Sequence, residues 1–135
     1  MSEKMTIKEL REIMENGIAN WAKPMENPFM SWYKVRSEWH GHEVATYAIR
    51  YAIENYGTYH PYRGGGNVSY HEIVFKTPIT QEETDSYGWK PSVSVRLTYW
   101  QDIMLFSADG SGCGGKTPWA KDMRLIMDRI EEAVS

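Results

Sequence analysis

Hydrophobic residues return at helical spacing over the first part of the chain. Ile7, Leu10, Met14, Ile18 and Trp21 fall on one face, and Ile13 widens it. Thr6 and Glu9 form a capping box in front of this stripe. The pattern therefore predicts a helix from Thr6 as N-cap to about Ala22, stopped by Lys23-Pro24. Gly17 interrupts it and makes Asn16-Gly17 the place where this helix would break. Pro24 to Pro28 reads as a connection, and Met30 to Arg36 as a short strand candidate. A second stripe, Val44, Tyr47, Ala48, Tyr51, Ala52 and Asn55, predicts a helix over about His42 to Tyr56, closed by Gly57. Arg50 and Glu54 lie one turn apart on it.

The period then shortens. Gly57 to Gly66, rich in glycine and aromatic residues, reads as irregular, and Val68 to Lys76 as a strand centred on Ile73-Val74-Phe75. Thr77 to Lys90 is an acidic connection with a single turn at Thr80 to Glu83. Ser92 to Ala108 is extended throughout, but too long for one strand of about five or six residues. A hairpin turning at Gln101-Asp102 resolves this by pairing Tyr99 with Met104 and Leu97 with Phe106. Val93, Val95, Leu97, Tyr99, Met104 and Phe106 then share a face. Gln-Asp is poor chemistry for a two-residue turn, so one long bent strand is the alternative. Thr117 as N-cap and Pro118 behind it open a last helix, whose buried face is Met123, Ile126, Met127 and Ile130, with Val134 one turn on. This order predicts an α+β fold in a single domain over 1–135. The sheet is small and antiparallel, of three to four strands, with about three helices packed mainly on one face.

Composition narrows the function classes. Hydrophobic residues make up 41% and charged residues 24% of 135, a globular rather than a disordered profile. Six Trp and nine Tyr against three Phe favour surfaces that are apolar yet meet water or a partner, although large rings also simply fill cores. The net charge of −3 is made of mixed signs without a basic stripe, which argues against non-specific duplex binding. One cysteine leaves no internal disulfide and suits a reducing compartment. Met1 to Lys8 lacks an apolar leader, and no stretch approaches the ~18 apolar residues of a membrane span. The expectation is a soluble cytoplasmic protein that does not engage a membrane.

Two glycine-rich segments carry the candidate chemistry. Gly110-Ser111-Gly112-Cys113-Gly114-Gly115-Lys116-Thr117 satisfies the phosphate-loop string G-x-x-x-x-G-K-[ST], between a strand and a helix. Glycines let backbone N–H groups face an anion, the helix N-terminus adds partial positive charge, and Lys116 adds a full one. Few residues follow Thr117, and no upstream strand ends in an aspartate that would hold magnesium with it. An anion site fits and nucleotide hydrolysis does not. The plain alternative is a surface loop whose glycines permit a tight reversal.

The second segment, Tyr59-His60-Pro61-Tyr62-Arg63-Gly64-Gly65-Gly66, can stack rings on a base and hold a phosphate with a guanidinium. If the fold joins the two, Arg63 and Lys116 make one shallow pocket for an anionic ligand. The candidate ligand-binding residues are Tyr59, His60, Tyr62, Arg63, Gly112, Cys113, Gly114, Gly115, Lys116 and Thr117. His40 and His42, with Glu43 adjoining, could offer two imidazoles, but a zinc site would need a third ligand from His60 or His71, and neither stands at a recognisable spacing. Cys113, beside a helix N-terminus, would be acidified but has no identifiable base.

The reading that follows is a non-enzymatic binding protein for a nucleotide or other phosphorylated small molecule, with no catalytic residue, metal or cofactor. One alternative is a small acidic interaction module or inhibitor of the mobile-element type. It would use exposed Trp and Tyr, Trp32, Tyr33 and Trp39 among them, on a protein partner or in a homo-oligomer. The other is a metal- or thiol-dependent enzyme built on His40, His42, Glu43 or Cys113.

Overall fold

Thr6 opens the first helix as its chemistry dictates. Its hydroxyl accepts from the Glu9 backbone N–H at 3.1 Å, while the Glu9 carboxylate accepts from the Thr6 N–H at 3.2 Å. The protein is described by a computed structural model over residues 4–21, 40–61, 68–83, 92–100, 103–107 and 120–135. It has a small α+β fold with three helices and an antiparallel sheet. The chain divides into two compact units, Met1–Tyr51 and Ala52–Ser135.

The first unit holds α1 (Ile7–Ala19) and most of α2 (His40–Tyr56). α1 runs unbroken through Gly17, which is buried. It ends before Ala22: Asn20 is the C-cap, its side chain donating to the Asn16 carbonyl at 2.8 Å, and the Trp21 N–H turns to the Ile18 carbonyl three residues back at 3.2 Å. Trp21 therefore lies beyond the helix whose stripe it was expected to extend. Leu10 and Met14 from α1, and Val44, Ala45, Ala48 and Ile49 from α2, are fully buried. The buried face of α2 is thus rotated from the expected one. It includes Ile49 and Ile53, whereas Asn55 is exposed and Tyr47 and Tyr51 are only half-buried. Apolar volume and not stripe position decided this, since Ile buries more hydrocarbon than the polar-tipped tyrosines. The Tyr51 hydroxyl instead accepts from the Met5 N–H at 2.9 Å.

The second unit begins with the end of α2. Gly57 closes that helix by donating to the Ile53 carbonyl at 2.9 Å. A Cβ there would run into the backbone oxygens of both Ile53 and Glu72, so only glycine lets the helix end this close to the next strands. The segment after it is not irregular from its start, as the sequence suggested. Thr58–His60 is strand β1, paired antiparallel with β2 (Ser69–Ile79) through Thr58↔Glu72, Tyr59↔His71 and His60↔Tyr70. Its Thr and Tyr suit a strand, and the edge of β2 supplies the hydrogen-bonding partner that local reading could not see.

β3 (Ser92–Trp100) pairs with β2, and β4 (Ile103–Ser107) with β3, giving the order β1-β2-β3-β4. The hairpin at residues 101–102 has the expected register, with Leu97 opposite Phe106 and Tyr99 opposite Met104. Val93 departs from expectation. It is 62% exposed although it alternates with buried Val95 and Leu97. The cause is an irregularity in the β2–β3 register between Val74 and Ile79, next to which Ser92 and Ser94 are buried instead. The Ser92 hydroxyl satisfies itself on the Ser94 carbonyl at 2.6 Å.

The expected single turn at residues 80–83 is a short 3-10 helix, Gln81–Glu83, capped by Glu83 on the Thr80 N–H at 2.9 Å. α3 (Ala120–Val134) packs against β2, with Met123, Ile126, Met127 and Ile130 buried as their spacing requires. The Met30–Arg36 strand candidate and the Thr117-Pro118 helix start lie outside the described residues.

Candidate functional site

Strand geometry distributes the chemistry. Side chains alternate across a sheet, so the β1 residues Tyr59 and His60, expected together in one cradle, are set on opposite faces. A ligand laid against either face meets only one of them.

His60 shares its face with Thr58, Tyr70, Glu72, Ser94 and Arg96, the partners that the β1–β2 and β2–β3 registers line up across three strands. Glu72 is the hub. Its Oε2 accepts from Arg96 Nε at 2.8 Å and from the Ser94 hydroxyl at 2.9 Å. Its Oε1 has His60 Nε2 at 3.5 Å. The Glu72 side chain is only 13% exposed, against 39% for His60. The His60 ring stacks on Tyr70 with centroids 4.6 Å apart and planes 17° from parallel, and the Arg96 guanidinium lies 4.8 Å from the centre of the Tyr70 ring. The carboxylate is thus held by donors from two neighbouring positions of β3, and the Arg96 charge offsets its own.

The same face borders a cleft of about 370 Å³. It is lined by the polar Thr58, His60 and Glu72 and by Tyr56, Ile73, Val74, Ala133 and Val134. That volume lies at the lower end of small-ligand sites, roughly 300–1,000 Å³.

The opposite face carries Tyr59, His71 and Tyr99. The Tyr99 hydroxyl and His71 Nδ1 share a hydrogen bond of 2.7 Å, and the Tyr59 ring leans on His71 at 5.0 Å. Burial holds the His71 pKa below the ordinary histidine value, with Glu54 opposing and His60 adding to the shift. Tyr59 itself is 53% exposed.

Of the other expected site residues, Tyr62, Arg63, Gly112, Cys113, Gly114, Gly115, Lys116 and Thr117 lie outside the described residues. The strands still locate the roots of their segments. β1, which precedes the first, is one edge of the sheet and pairs antiparallel with β2. β4, which precedes the second, is the other edge, three strand spacings or about 14 Å away, and runs opposite to β1.

In the first unit, His42 meets Trp21 edge-on at 4.7 Å, and its pKa is lowered by burial and by Arg50. Burial and Glu43 raise the Tyr47 pKa against the pull of Arg50, which lies over its ring at 5.2 Å. Among the described residues no three His, Cys, Asp or Glu side chains gather as a metal-binding group, and no helix is long and apolar enough to cross a membrane.

Sequence reasoning missed Tyr70, Glu72, Ser94 and Arg96. The alternation of Tyr70 and Glu72 against His71 and Ile73 was available as a signal. The pairing of Glu72 with Arg96 needed the β2–β3 register, which the long 80–91 connection hides. No family model, no curated protein and no solved structure matches this chain.

Proposed function

We propose that the chain is a non-enzymatic binding protein for a nucleotide or another phosphorylated small molecule, working in a reducing, cytoplasmic setting. The observation that carries this reading is the cleft walled by His60 at the root of the glycine-rich segment. β1 rises about 3.3 Å per residue, so a ligand lying along it spans Thr58, His60 and the start of the loop within the length of one mononucleotide. Its ring would sit in the cleft. Its phosphate would meet Arg63 and the N–H groups of Gly64 to Gly66. The Glu72–Arg96 pair supports the reading, since a carboxylate already neutralised by a guanidinium repels an anion far less than a bare one. Trp32, Tyr33 and Trp39, which the interaction-module alternative would use, lie outside the described residues.

Calorimetric titration with the four 5′-nucleoside monophosphates and with inorganic phosphate tests this. At least one nucleotide should bind. Arg63→Ala should weaken binding about tenfold or more, the scale of a lost charge-assisted contact, with the melting temperature nearly unchanged. Retained affinity in this variant would remove the proposal.

A further inference from the structure

Glu72 presents two carboxylate oxygens with different occupancy. Oε2 is saturated by Arg96 Nε and the Ser94 hydroxyl, whereas Oε1 has only His60 Nε2, at 3.5 Å, among the described residues. Glu72 also lines the cleft, together with Ile73, Val74, Ala133 and Val134. A half-buried acceptor with spare capacity, in a cleft that also has apolar lining, selects for a flat group that brings a hydrogen-bond donor. We propose that the cleft reads the base of a nucleotide, taking adenine, cytosine or guanine through an exocyclic amino group donated to Glu72 Oε1 and rejecting uracil. This rests on the nucleotide reading above.

The discrimination has a physical cause. An amino group offers two N–H donors, one of which can meet a carboxylate oxygen directly. Uracil offers a ring N–H flanked by two carbonyl oxygens, and in any approach to Oε1 at least one of them is pressed against the carboxylate lone pairs. A buried polar group left opposite a like group is costly, which is how such sites reject an analogue.

The donors on Oε2 also fix what a substitution would do. In Glu72→Gln, Arg96 and Ser94 can be satisfied only by the amide oxygen, so the new NH₂ must turn toward the cleft. The site then donates where it formerly accepted, and its preference for an amino group should be lost.

The experiment is competition among the four 5′-nucleoside monophosphates on the wild-type protein and on Glu72→Gln, with melting temperature as the check on folding. The wild type should bind the amino-bearing nucleotides about tenfold more tightly than the uridine nucleotide, the scale of one hydrogen bond to a charged group. In Glu72→Gln the ratio should fall to unity. Equal affinity of the wild type for all four overturns this inference and leaves the nucleotide reading standing. Binding of none overturns both. If Glu72→Gln does not fold, the wild-type ratio alone decides. A folded variant with an unchanged ratio assigns the selectivity elsewhere and overturns the role of Glu72.

Discussion

The two faces of the β1–β2–β3 ladder use the same kinds of residue to opposite ends. Each carries a histidine beside a tyrosine, from adjacent positions of the same strands. On one face His71 lies against Tyr59 and Tyr99, next to buried Val95 and Leu97, and burial disfavours its charged form. On the other, His60 stacks on Tyr70 but stands half-open beside Glu72, Ser94 and Arg96. One face is organised by loss of water, the other by an ion pair that remains near it. A histidine's residue type therefore says little about its use, and which side of the pleat it occupies says much more.

The comparison can be broken most forcefully from its apolar side. Leu97 is fully buried, so Leu97→Ala should cost about 2–5 kcal/mol in a denaturant titration, through lost transfer energy and the cavity left behind. Gly57→Ala strikes both faces at their common support. Its methyl group has no room between the Ile53 and Glu72 carbonyls, and overpacking of this kind costs about 1–3 kcal/mol. If Gly57→Ala is as stable as the wild type, α2 does not approach β2 this closely.

Arg96→Ala should be milder, about 1 kcal/mol, because the pair with Glu72 is partly screened by solvent. It should nevertheless disturb ligand binding more than Leu97→Ala does in the fraction that remains folded. The reverse ranking would place the functional face on the other side of the sheet.

The smallest effect is a pH dependence. His71 and His42 both have lowered pKa values, so the folded state binds fewer protons than the unfolded state as pH falls below the ordinary value of 6.5. Their contribution is complete above 6.5 and is lost on acidification toward their depressed folded values. His71→Phe should make the fall in stability from pH 7 to pH 5 shallower while leaving a residual slope from His42. A slope that is unchanged would mean that the proton goes elsewhere.

Much of the fold was legible because the forces that set it are local. The Thr6–Glu9 capping box, the Met123–Ile130 stripe and the 97–106 hairpin register each follow from spacing within a few residues. The α2 face was misjudged by about one position because Tyr47 and Tyr51 count as hydrophobic in a pattern, yet their hydroxyls keep them near water. β1 escaped notice because three residues have no period of their own and become a strand only against the edge of β2.

For the site, the sequence by itself determined which residue types were at hand: glycine-rich segments, each with one cation, and rings beside His60. Tertiary structure alone decided how they are partitioned. Alternation across the pleat sends Tyr59 and His60 to opposite faces, and strand order roots the two glycine-rich segments at opposite edges. The β2–β3 register brings Glu72 to Arg96 and Ser94 across a separation of more than twenty residues. Local chemistry is written in neighbours along the chain, whereas a carboxylate's partners depend on which strands pair and in what register. Only the folded sheet specifies that.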